Sequence, residues 1–252
     1  MKILNIFSIR RAGKNKPQLF SAGKYRIAQS KSSDAEWLLK VMLNDPEALF
    51  LKGEPLQSPW RSDATDKVLV QNRGKVFLIK RYNCPNLLYR LKSSFRRSRA
   101  EKSWDAAWIL HSLGLSTPLP ILFLEERRCR LLRNSYIVFP YLNTATSLLV
   151  KWPELNNEAR KRVLTIWGNV IGKMHLNGFS HGDLNWRNLL LEQNNSEFVY
   201  YIIDLDGYRF SKRVPIEAAQ KDLSHFYRDI KRMGATQDMR DVFTTEYKNT
   251  CH

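Results

Sequence analysis

The stretch SHGDLNWRNLLL, from Ser180 to Leu191, sets aspartate, asparagine and tryptophan between two apolar runs. A second stretch, YYIIDLDGYRF, from Tyr200 to Phe210, carries an apolar run that ends in Asp204. So much charge and amide beside an expected core allows two interpretations. The first stretch is either a polar turn between strands or a site that holds metal and phosphate.

The spacing of three residues favours the second interpretation. Asp183 and Asn188 are five residues apart, and Asp204 follows sixteen residues later at the end of a predicted strand. Carboxylate and amide oxygens suit Mg²⁺, which usually takes one or two carboxylates together with phosphate oxygens and water. A second carboxylate can orient an attacking hydroxyl or accept its proton. This division of labour is typical of phosphoryl transfer, in which catalysis is mostly positioning and charge neutralisation.

The rest of the pattern predicts a β-rich first half and a mostly helical second half, which is an α+β chain. Asp66–Tyr82 predicts a hairpin that turns at Asn72-Arg73-Gly74, and further strands are predicted at Ile121–Leu124, Tyr136–Phe139 and Phe198–Ile203. Four helical regions are predicted: Asp34–Asp45 with Asp34 near its N-cap, Ser98–Gly114, Asn157–Gly178 with Asn157 as the cap, and the chain from Pro215 onward.

Composition sets the class of partner. The 252 residues suffice for one large domain or two small lobes, and 41 Lys plus Arg against 24 Asp plus Glu give a net charge of +17. Such a surplus favours anionic partners. The three cysteines form no C-x-x-C pair, and no apolar run approaches the length that spans a bilayer. We expect a cytoplasmic protein, peripheral on the inner face of a membrane.

The two stretches, joined to a preceding helix and a following IID strand, resemble the catalytic loop and metal-binding strand end of the protein-kinase-like fold. The resemblance implies a two-lobed molecule, with a β-rich N-lobe over 1–138 and a hinge and helical C-lobe over 139–252. It implies that Asp183 is the catalytic aspartate, that Asn188 and Asp204 bind metal, and that the cofactors are ATP and Mg²⁺.

Three differences from protein kinases indicate which family of the kinase-like fold the chain resembles. Gly182 stands in place of the arginine that reads activation-loop phosphate, Asn185 in place of a substrate-side lysine, and DLDG in place of DFG, with no APE following. Together with SRAEKSW…LHSLGLSTPLP and KDLSHF, the motifs most resemble the lipopolysaccharide kinase family, over roughly Val68–Phe226. That family phosphorylates Kdo or heptose of the lipid A core, so the resemblance implies an anionic glycolipid acceptor.

The same resemblance implies a nucleotide site in the first lobe. Lys80 is the match for the lysine that reaches the ATP phosphates, and Glu101 is its expected partner, with Asp105 on the same helix. The loop that should cover the phosphates, Trp60–Lys67, has no glycine. Backbone contacts to adenine are expected near the hinge, from these residues: Phe139, Tyr141 and Leu142.

Other polar residues of the motifs are expected to be structural. We predict that His181 packs under the loop and that Trp186 packs against the second lobe. Asp222 in KDLSHF is predicted to accept hydrogen bonds from the backbone of the catalytic loop. Ser180 and Asn185 are expected to be peripheral to the chemistry.

The densest positive run is RLKSSFRRSRAEK, from Arg90 to Lys102. Each basic residue near a bilayer adds about 1 kcal/mol of attraction to anionic lipid, so the run 90–102 is a candidate docking patch for the inner leaflet. Nucleic acid is not expected as a partner, since no RNA- or DNA-binding module is recognisable. The sequence leaves the oligomeric state open.

Two alternatives remain at this point. One is another small-molecule kinase, or an atypical protein kinase that acts on serine or threonine. The other is a catalytically degenerate, kinase-like module that binds membrane or a partner, which the glycine-free loop at Trp60–Lys67 favours. The presence of Lys80, Asp183, Asn188 and Asp204 together argues for an enzyme.

Overall fold

The computed structural model describes residues 18–56, 64–84, 96–128, 131–194 and 197–251. These residues form two compact units. The first contains the described residues up to Asp105 together with Leu119–Tyr141, and the second contains Ala106–Pro118 and the described residues from Leu142 onward. The division expected from the sequence, 1–138 and 139–252, differs in the assignment of 106–118 and 139–141. In the described ranges no helix has the length and apolar character needed to cross a bilayer.

The first unit is built on a seven-stranded antiparallel sheet with the order β1-β2-β6-β7-β5-β4-β3. Its strands are β1 Gln18–Ala22, β2 Tyr25–Gln29, β3 Glu54–Pro55, β4 Thr65–Asn72, β5 Lys75–Tyr82, β6 Leu122–Arg128 and β7 Leu131–Pro140. The predicted hairpin is confirmed as β4 and β5, in which Asn72 pairs with Lys75. Arg73 and Gly74 between them both have positive φ, 50° and 75°, which the two-residue turn with right-handed strand twist requires.

Residues before the kinase-like motifs contribute to the core of this unit. Helices α1 (Ser33–Asn44) and α2 (Pro46–Lys52) lie against the sheet, and both bury apolar side chains in it. The N-cap of α1 is Ser32, whose Oγ accepts from the Ala35 N–H at 3.1 Å. Asp34, predicted near the cap, lies in the first turn instead.

A polar network ties α2 to the sheet. The Glu47 carboxylate accepts hydrogen bonds from the Tyr136 hydroxyl, from Asn134 Nδ2 at 3.1 Å and from the Arg81 guanidinium. Burial, followed by the hydrogen bond to Glu47, raises the pKa of Tyr136, so its hydroxyl stays a donor. The segment from 18 to 55 is therefore an integral part of the sheet unit rather than an appendage.

The second unit is mostly helical. Helix α3 (Arg99–Ser112) begins in the first unit and ends in the second. The other elements are β8 Thr146–Ser147, α4 Leu148–Lys151, α5 Asn157–Leu176, β9 Phe179–Ser180, β10 Leu189–Asn194, β11 Glu197–Ile202, β12 Arg209–Phe210, α6 Ile216–Arg232 and α7 Gln237–Cys251, with 3₁₀ turns at Trp152–Glu154, Trp186–Asn188 and Leu205–Gly207. β11, β10 and β8 form one small sheet, and β12 and β9 form another.

Helix α5 is capped by Asn156, not by Asn157 as predicted, because Asn156 Oδ1 accepts from the Ala159 N–H at 2.9 Å. Its predicted end is confirmed at Gly178, which has a φ of +81°. A Cβ at this position would lie 1.9 Å from the Ser211 carbonyl oxygen. Only glycine therefore permits the backbone of β12 to approach the end of α5.

Two glycines one turn apart on α5 let α7 pack closely against it. A Cβ at Gly168 would lie 2.8 Å from Glu246 Cβ, and one at Gly172 would lie 2.7 Å from Thr250 Cβ. Both distances are shorter than carbon atoms tolerate, so small residues set the separation of these helices.

We expect Gly172→Ala to destabilise the protein. In a helix alanine normally gains up to about 1 kcal/mol over glycine, but the added methyl group collides with Thr250 and with the Tyr247 carbonyl. The net loss in free energy of unfolding should be about 1–2 kcal/mol, measured by urea denaturation. Thr165→Ala, at an exposed position of the same helix, is the control and should change stability by less than about 0.5 kcal/mol. A stabilised Gly172→Ala protein would contradict the close packing of α5 and α7.

Candidate active site

The predicted catalytic loop lies against the turn that follows β11. β9 pairs with β12 in the register Ser180↔Arg209, and the loop 181–188 follows β9 directly. Gly182 has a φ of +86°, and a Cβ there would lie 2.5 Å from the Gly207 carbonyl oxygen. No larger residue fits, so the glycine that departs from the protein-kinase pattern has a structural cause.

His181 joins the same two segments through its ring. Nε2 lies 2.9 Å from the Ile203 carbonyl oxygen, and Nδ1 lies 3.2 Å from the Asp183 amide nitrogen. A carbonyl can only accept and an amide N–H can only donate, so Nε2 carries the proton and Nδ1 carries a lone pair. Because both ring nitrogens are engaged in the backbone, the predicted structural role of His181 is confirmed.

Two buried carboxylates of α6 hold the loop backbone. The Asp222 carboxylate accepts from the amide of His181 at 2.7 Å and from that of Gly182 at 2.8 Å, as predicted from the sequence. Asp229 Oδ2 accepts from the amide of Trp186 at 2.9 Å, a contact that the sequence did not reveal. Trp186 itself is fully buried and packs against Trp152 and Phe226, which confirms its predicted packing role.

The Asp222 carboxylate is also bonded by His175, whose Nε2 lies 3.3 Å from Oδ2. Burial raises the pKa of Asp222, but the hydrogen bonds from His175 and from the His181 backbone outweigh it, so the net pKa lies below the ordinary value. Such a group stabilises the folded state above the unfolded pKa of about 3.9.

The Asp183 carboxylate is half-exposed, with 46% of its side chain accessible, and has partners on both oxygens. Oδ1 accepts from Asn185 Nδ2 and lies 3.3 Å from His225 Nδ1. Oδ2 lies 3.4 Å from Asn188 Nδ2 and 3.5 Å from Arg187 Nη2. Asn185 is therefore not peripheral, as the sequence had suggested, but fixes the orientation of this carboxylate.

Of the two predicted metal-binding residues, Asn188 contacts Asp183 directly, and Asp204 follows the residue that is bonded to the Asn188 backbone. Asn188 Nδ2 donates to the Asp183 carbonyl oxygen at 2.9 Å, which leaves its Oδ1 as the atom able to bind a cation. The amide of Ile203 donates to the Asn188 carbonyl oxygen at 3.0 Å, and the next residue, Asp204, has a φ of +64°. An aspartate held in this uncommon left-handed conformation at a strand end is a feature of functional sites.

The donor set of Asn188 and Asp204 fits Mg²⁺ better than a metal bound by protein alone. In the part of the chain that the structure describes, no group of three or more His, Cys, Asp or Glu side chains could hold a metal ion. One carboxylate and one amide oxygen match the few protein ligands that Mg²⁺ takes when phosphate oxygens and water complete its shell.

Of the predicted nucleotide residues, Lys80 lies on β5, Phe139 on β7 and Tyr141 directly after β7, all in the first unit, whereas Leu142 belongs to the second unit. Lys80 on β5 is 4% exposed, and its Nζ lies 5.7 Å from the centroid of the Phe139 ring. Tyr141 N–H donates to the Val76 carbonyl oxygen at 3.0 Å, and Pro140 has no N–H. A backbone contact of Tyr141 with adenine would therefore have to use its carbonyl.

Glu101 has a partner that the sequence did not suggest. Its two oxygens accept from Arg26 Nη1 at 2.7 Å and Nη2 at 2.8 Å, a bidentate ion pair between β2 and α3. Arg97 approaches the same carboxylate at 4.0 Å. Glu101, the partner predicted for Lys80, is thus bound by an arginine seventy-five residues away.

Two of the predicted segments lie partly outside the described residues. The glycine-free loop Trp60–Lys67 is described only from Ala64, and the basic run 90–102 only from Arg96. Within the latter, Arg97 pairs with Asp105 at 2.7 Å and Arg99 lies over the Tyr82 ring at 4.5 Å.

We expect Asp222→Asn to lower the free energy of unfolding at pH 7 by about 2–3 kcal/mol, because an amide cannot accept from three donors as a carboxylate does. The difference from the unchanged protein should shrink as the pH falls below about 4, the unfolded pKa, toward the lowered folded pKa, where the folded carboxylate is also protonated and the contribution is lost. Urea denaturation between pH 3 and 7 measures both effects, with Glu217→Gln on the exposed face of α6 as the control. A pH-independent difference would contradict the role of the charged carboxylate.

Comparisons with known proteins bear on the family and the fold of the chain. A curated relative, the lipopolysaccharide core heptose(I) kinase WaaP of Escherichia coli, is 28% identical over 157 residues, which are 57% of this chain and 57% of that protein. The chain thus spans little more than half the length of that relative.

A solved structure described as WaaP in complex with acyl carrier protein is 20% identical, with a TM-score of 0.64 over 84% of this chain and 86% of that one. This likeness shows the fold and confirms the predicted α+β, protein-kinase-like class, with its β-rich first part and helical second part. The model of the lipopolysaccharide kinase (Kdo/WaaP) family matches residues 83–247, well over half of the chain and all of the catalytic loop. The chain belongs to the lipopolysaccharide kinase (Kdo/WaaP) family.

Proposed function

We propose that this chain transfers the γ-phosphate of ATP to a sugar hydroxyl, Kdo or heptose, of the lipopolysaccharide inner core. The observation that carries the proposal is the Asp183 carboxylate, half-exposed, fixed through both oxygens and in contact with Asn188. Family membership supports the class of reaction, and the name of the Escherichia coli relative favours a heptose acceptor.

In this proposal Asp183 orients the acceptor hydroxyl and accepts its proton. The hydrogen bond from Asn185 holds Oδ1, and the more distant contacts of Asn188 and Arg187 hold Oδ2. A carboxylate that is already oriented loses little entropy when the acceptor binds, which is how positioning lowers a barrier. The 46% exposure of its side chain leaves room for a sugar to reach it.

Asn188 and Asp204 would hold Mg²⁺, which supplies charge neutralisation at the phosphate oxygens when it is bound with ATP. Lys80, buried on β5, would contact the ATP phosphates. Phe139, Tyr141 and Leu142 would line the adenine end. Glu101 would act on the phosphates only indirectly, because Arg26 binds both of its oxygens.

We place the protein on the cytoplasmic face of the inner membrane, where an anionic glycolipid acceptor is available. Docking through the run 90–102 would depend on Arg96 and Lys102, which are exposed, more than on Arg97 and Arg99, which already have partners. Attraction of this kind weakens as the ionic strength rises.

The bidentate Arg26–Glu101 contact favours a second candidate function, that of a non-catalytic, kinase-like module that no longer binds nucleotide. For the kinase, we expect saturating Mg-ATP to stabilise the chain by about 2.7 kcal/mol at a hundred times the dissociation constant. Thermal shift with Mg-ATP, ATP in EDTA, and no ligand measures this. No shift with Mg-ATP would favour the module.

We expect Asp183→Asn to lower phosphate transfer to de-acylated core oligosaccharide by a factor of about 10²–10⁴, because an amide cannot accept the hydroxyl proton. Stability and the Mg-ATP thermal shift should be retained. Asp241→Asn, an exposed acid on α7, is the matched control and should keep full activity. Transfer is measured with labelled ATP against core oligosaccharide, amino-sugars and generic protein substrates. Full activity of Asp183→Asn toward its best acceptor would contradict the assignment, and exclusive labelling of another class would correct the substrate.

A further inference from the structure

The solvent-facing side of α6 carries positively charged side chains that play no part in how Asp222 and Asp229 hold the loop. Lys221, Arg228, Lys231 and Arg232 are all exposed. Two of the three acids of α6, Asp222 and Asp229, are buried and engaged by the loop backbone, and the third, Glu217, lies in the first turn. From residue 218 onward the exposed surface of this helix is therefore purely cationic in its charged groups. We call Lys221, Arg228, Lys231 and Arg232 the cationic face of α6.

These four side chains lie on one side of the helix. At about 100° per residue they fall within an arc of about 100°, and they extend over roughly 16 Å of the axis. The opposite side buries Phe226 and Ile230 in the second unit. Because the apolar side is already occupied by the core, α6 cannot insert it into a bilayer as a surface-active amphipathic helix does.

The cationic face reaches the catalytic carboxylate through Arg228. Its Nη2 donates to Asn185 Oδ1, and Asn185 Nδ2 donates to Asp183 Oδ1. The Arg228 side chain is 60% exposed and its Nε lies 3.8 Å from Asp229 Oδ1, so the guanidinium remains accessible to a ligand. Arg187, with 42% of its side chain exposed, lies 3.5 Å from the other oxygen of Asp183. Two guanidinium groups thus flank the carboxylate at which the acceptor hydroxyl is expected.

We propose that the cationic face of α6 binds anionic groups, carboxylate or phosphate, of the acceptor glycan, and that Arg228 determines specificity for an anion close to the accepting hydroxyl. The proposal rests on the proposed function. Guanidinium groups bind carboxylate and phosphate through paired, charge-assisted hydrogen bonds. An acceptor anion near Asp183 would otherwise be repelled by it, and Arg228 offsets that repulsion where it is greatest.

Lysines along the helix extend the same preference to anions further from the reacting sugar. A neutral oligosaccharide would gain nothing from these charges, since ammonium and guanidinium groups are better solvated by water than by hydroxyl groups alone. The cationic face therefore selects a polyanionic glycan over a neutral one.

The test uses the whole chain and three forms of de-acylated core oligosaccharide: intact, dephosphorylated, and with its carboxylates converted to amides. Binding is measured by titration calorimetry without ATP, and transfer is measured separately with labelled Mg-ATP. Arg228→Gln should weaken binding of the intact glycan by about tenfold or more, the effect of one lost charge-assisted contact. Whichever neutralised form abolishes the difference between Arg228→Gln and the unchanged protein identifies the anion as phosphate or carboxylate.

Three further variants control the interpretation. Arg228→Lys keeps the charge and should recover part of the affinity. The double variant Lys221→Gln, Lys231→Gln, which leaves the contact to Asn185 intact, should weaken the intact glycan more than the neutralised forms. Lys173→Gln, an exposed lysine of α5, should change neither binding nor transfer.

Equal weakening for charged and neutralised glycans would show that Arg228 acts only on the structure of the loop, and would overturn the proposal. So would a raised KM for ATP with unchanged glycan binding, or a loss limited to binding of phosphatidylglycerol vesicles that contain no glycan. Charge-dependent glycan binding without any phosphate transfer would support the cationic face while contradicting the proposed function, so the two failures are distinguishable.

Discussion

The predicted catalytic loop depends on a buried carboxylate that accepts hydrogen bonds from its backbone. Asp222 is fully buried, and its two oxygens accept from consecutive backbone amides at His181 and Gly182 as well as from the His175 ring. Buried amides without partners are costly, so the loop has one low-energy arrangement in which both point at α6. Asp229, about two turns further along α6, accepts in the same way from the backbone amide of Trp186. The helix thus fixes the loop at two points, and Asp183 lies between them.

The second constraint is the close approach of two backbones. Gly182 lies where any side chain would strike Gly207, and His181 bridges to Ile203 across the same gap. This approach brings Asn188 and Asp204 together although sixteen residues separate them. The loop with Asp183 and Asn188 and the strand end with Asp204, the residues predicted for catalysis and metal binding, are consequently assembled by main-chain contacts. Their side chains can then be reserved for substrate and cation, which is how a site stays oriented in their absence.

Much of this arrangement was predictable where the signal is local. The hairpin at 66–82 and the residues Asp183, Asn188 and Asp204 follow from turn residues and spacing, and Asp222 followed from its motif. Pairings between distant residues were not predictable, because spacing along the chain says nothing of them. Arg26 and Glu101 meet across seventy-five residues, and Arg228 meets Asn185 across forty-three. The cap of α5 was missed by one residue because two adjacent asparagines are equally able to cap, and only the backbone conformation selects Asn156.

The contact between α5 and α7 connects the last part of α7 to the predicted catalytic loop. Tyr247 on α7 has its hydroxyl 2.9 Å from His175 Nδ1, and the other ring nitrogen of His175 faces Asp222. Burial raises the pKa of Tyr247, so the hydroxyl stays protonated and can donate to Nδ1. A product cut short before Tyr247, by a protease or a premature stop codon, would retain every motif residue named above. It would still lose the group that orients the His175 ring toward Asp222, so an intact motif is no guarantee of an intact catalytic loop.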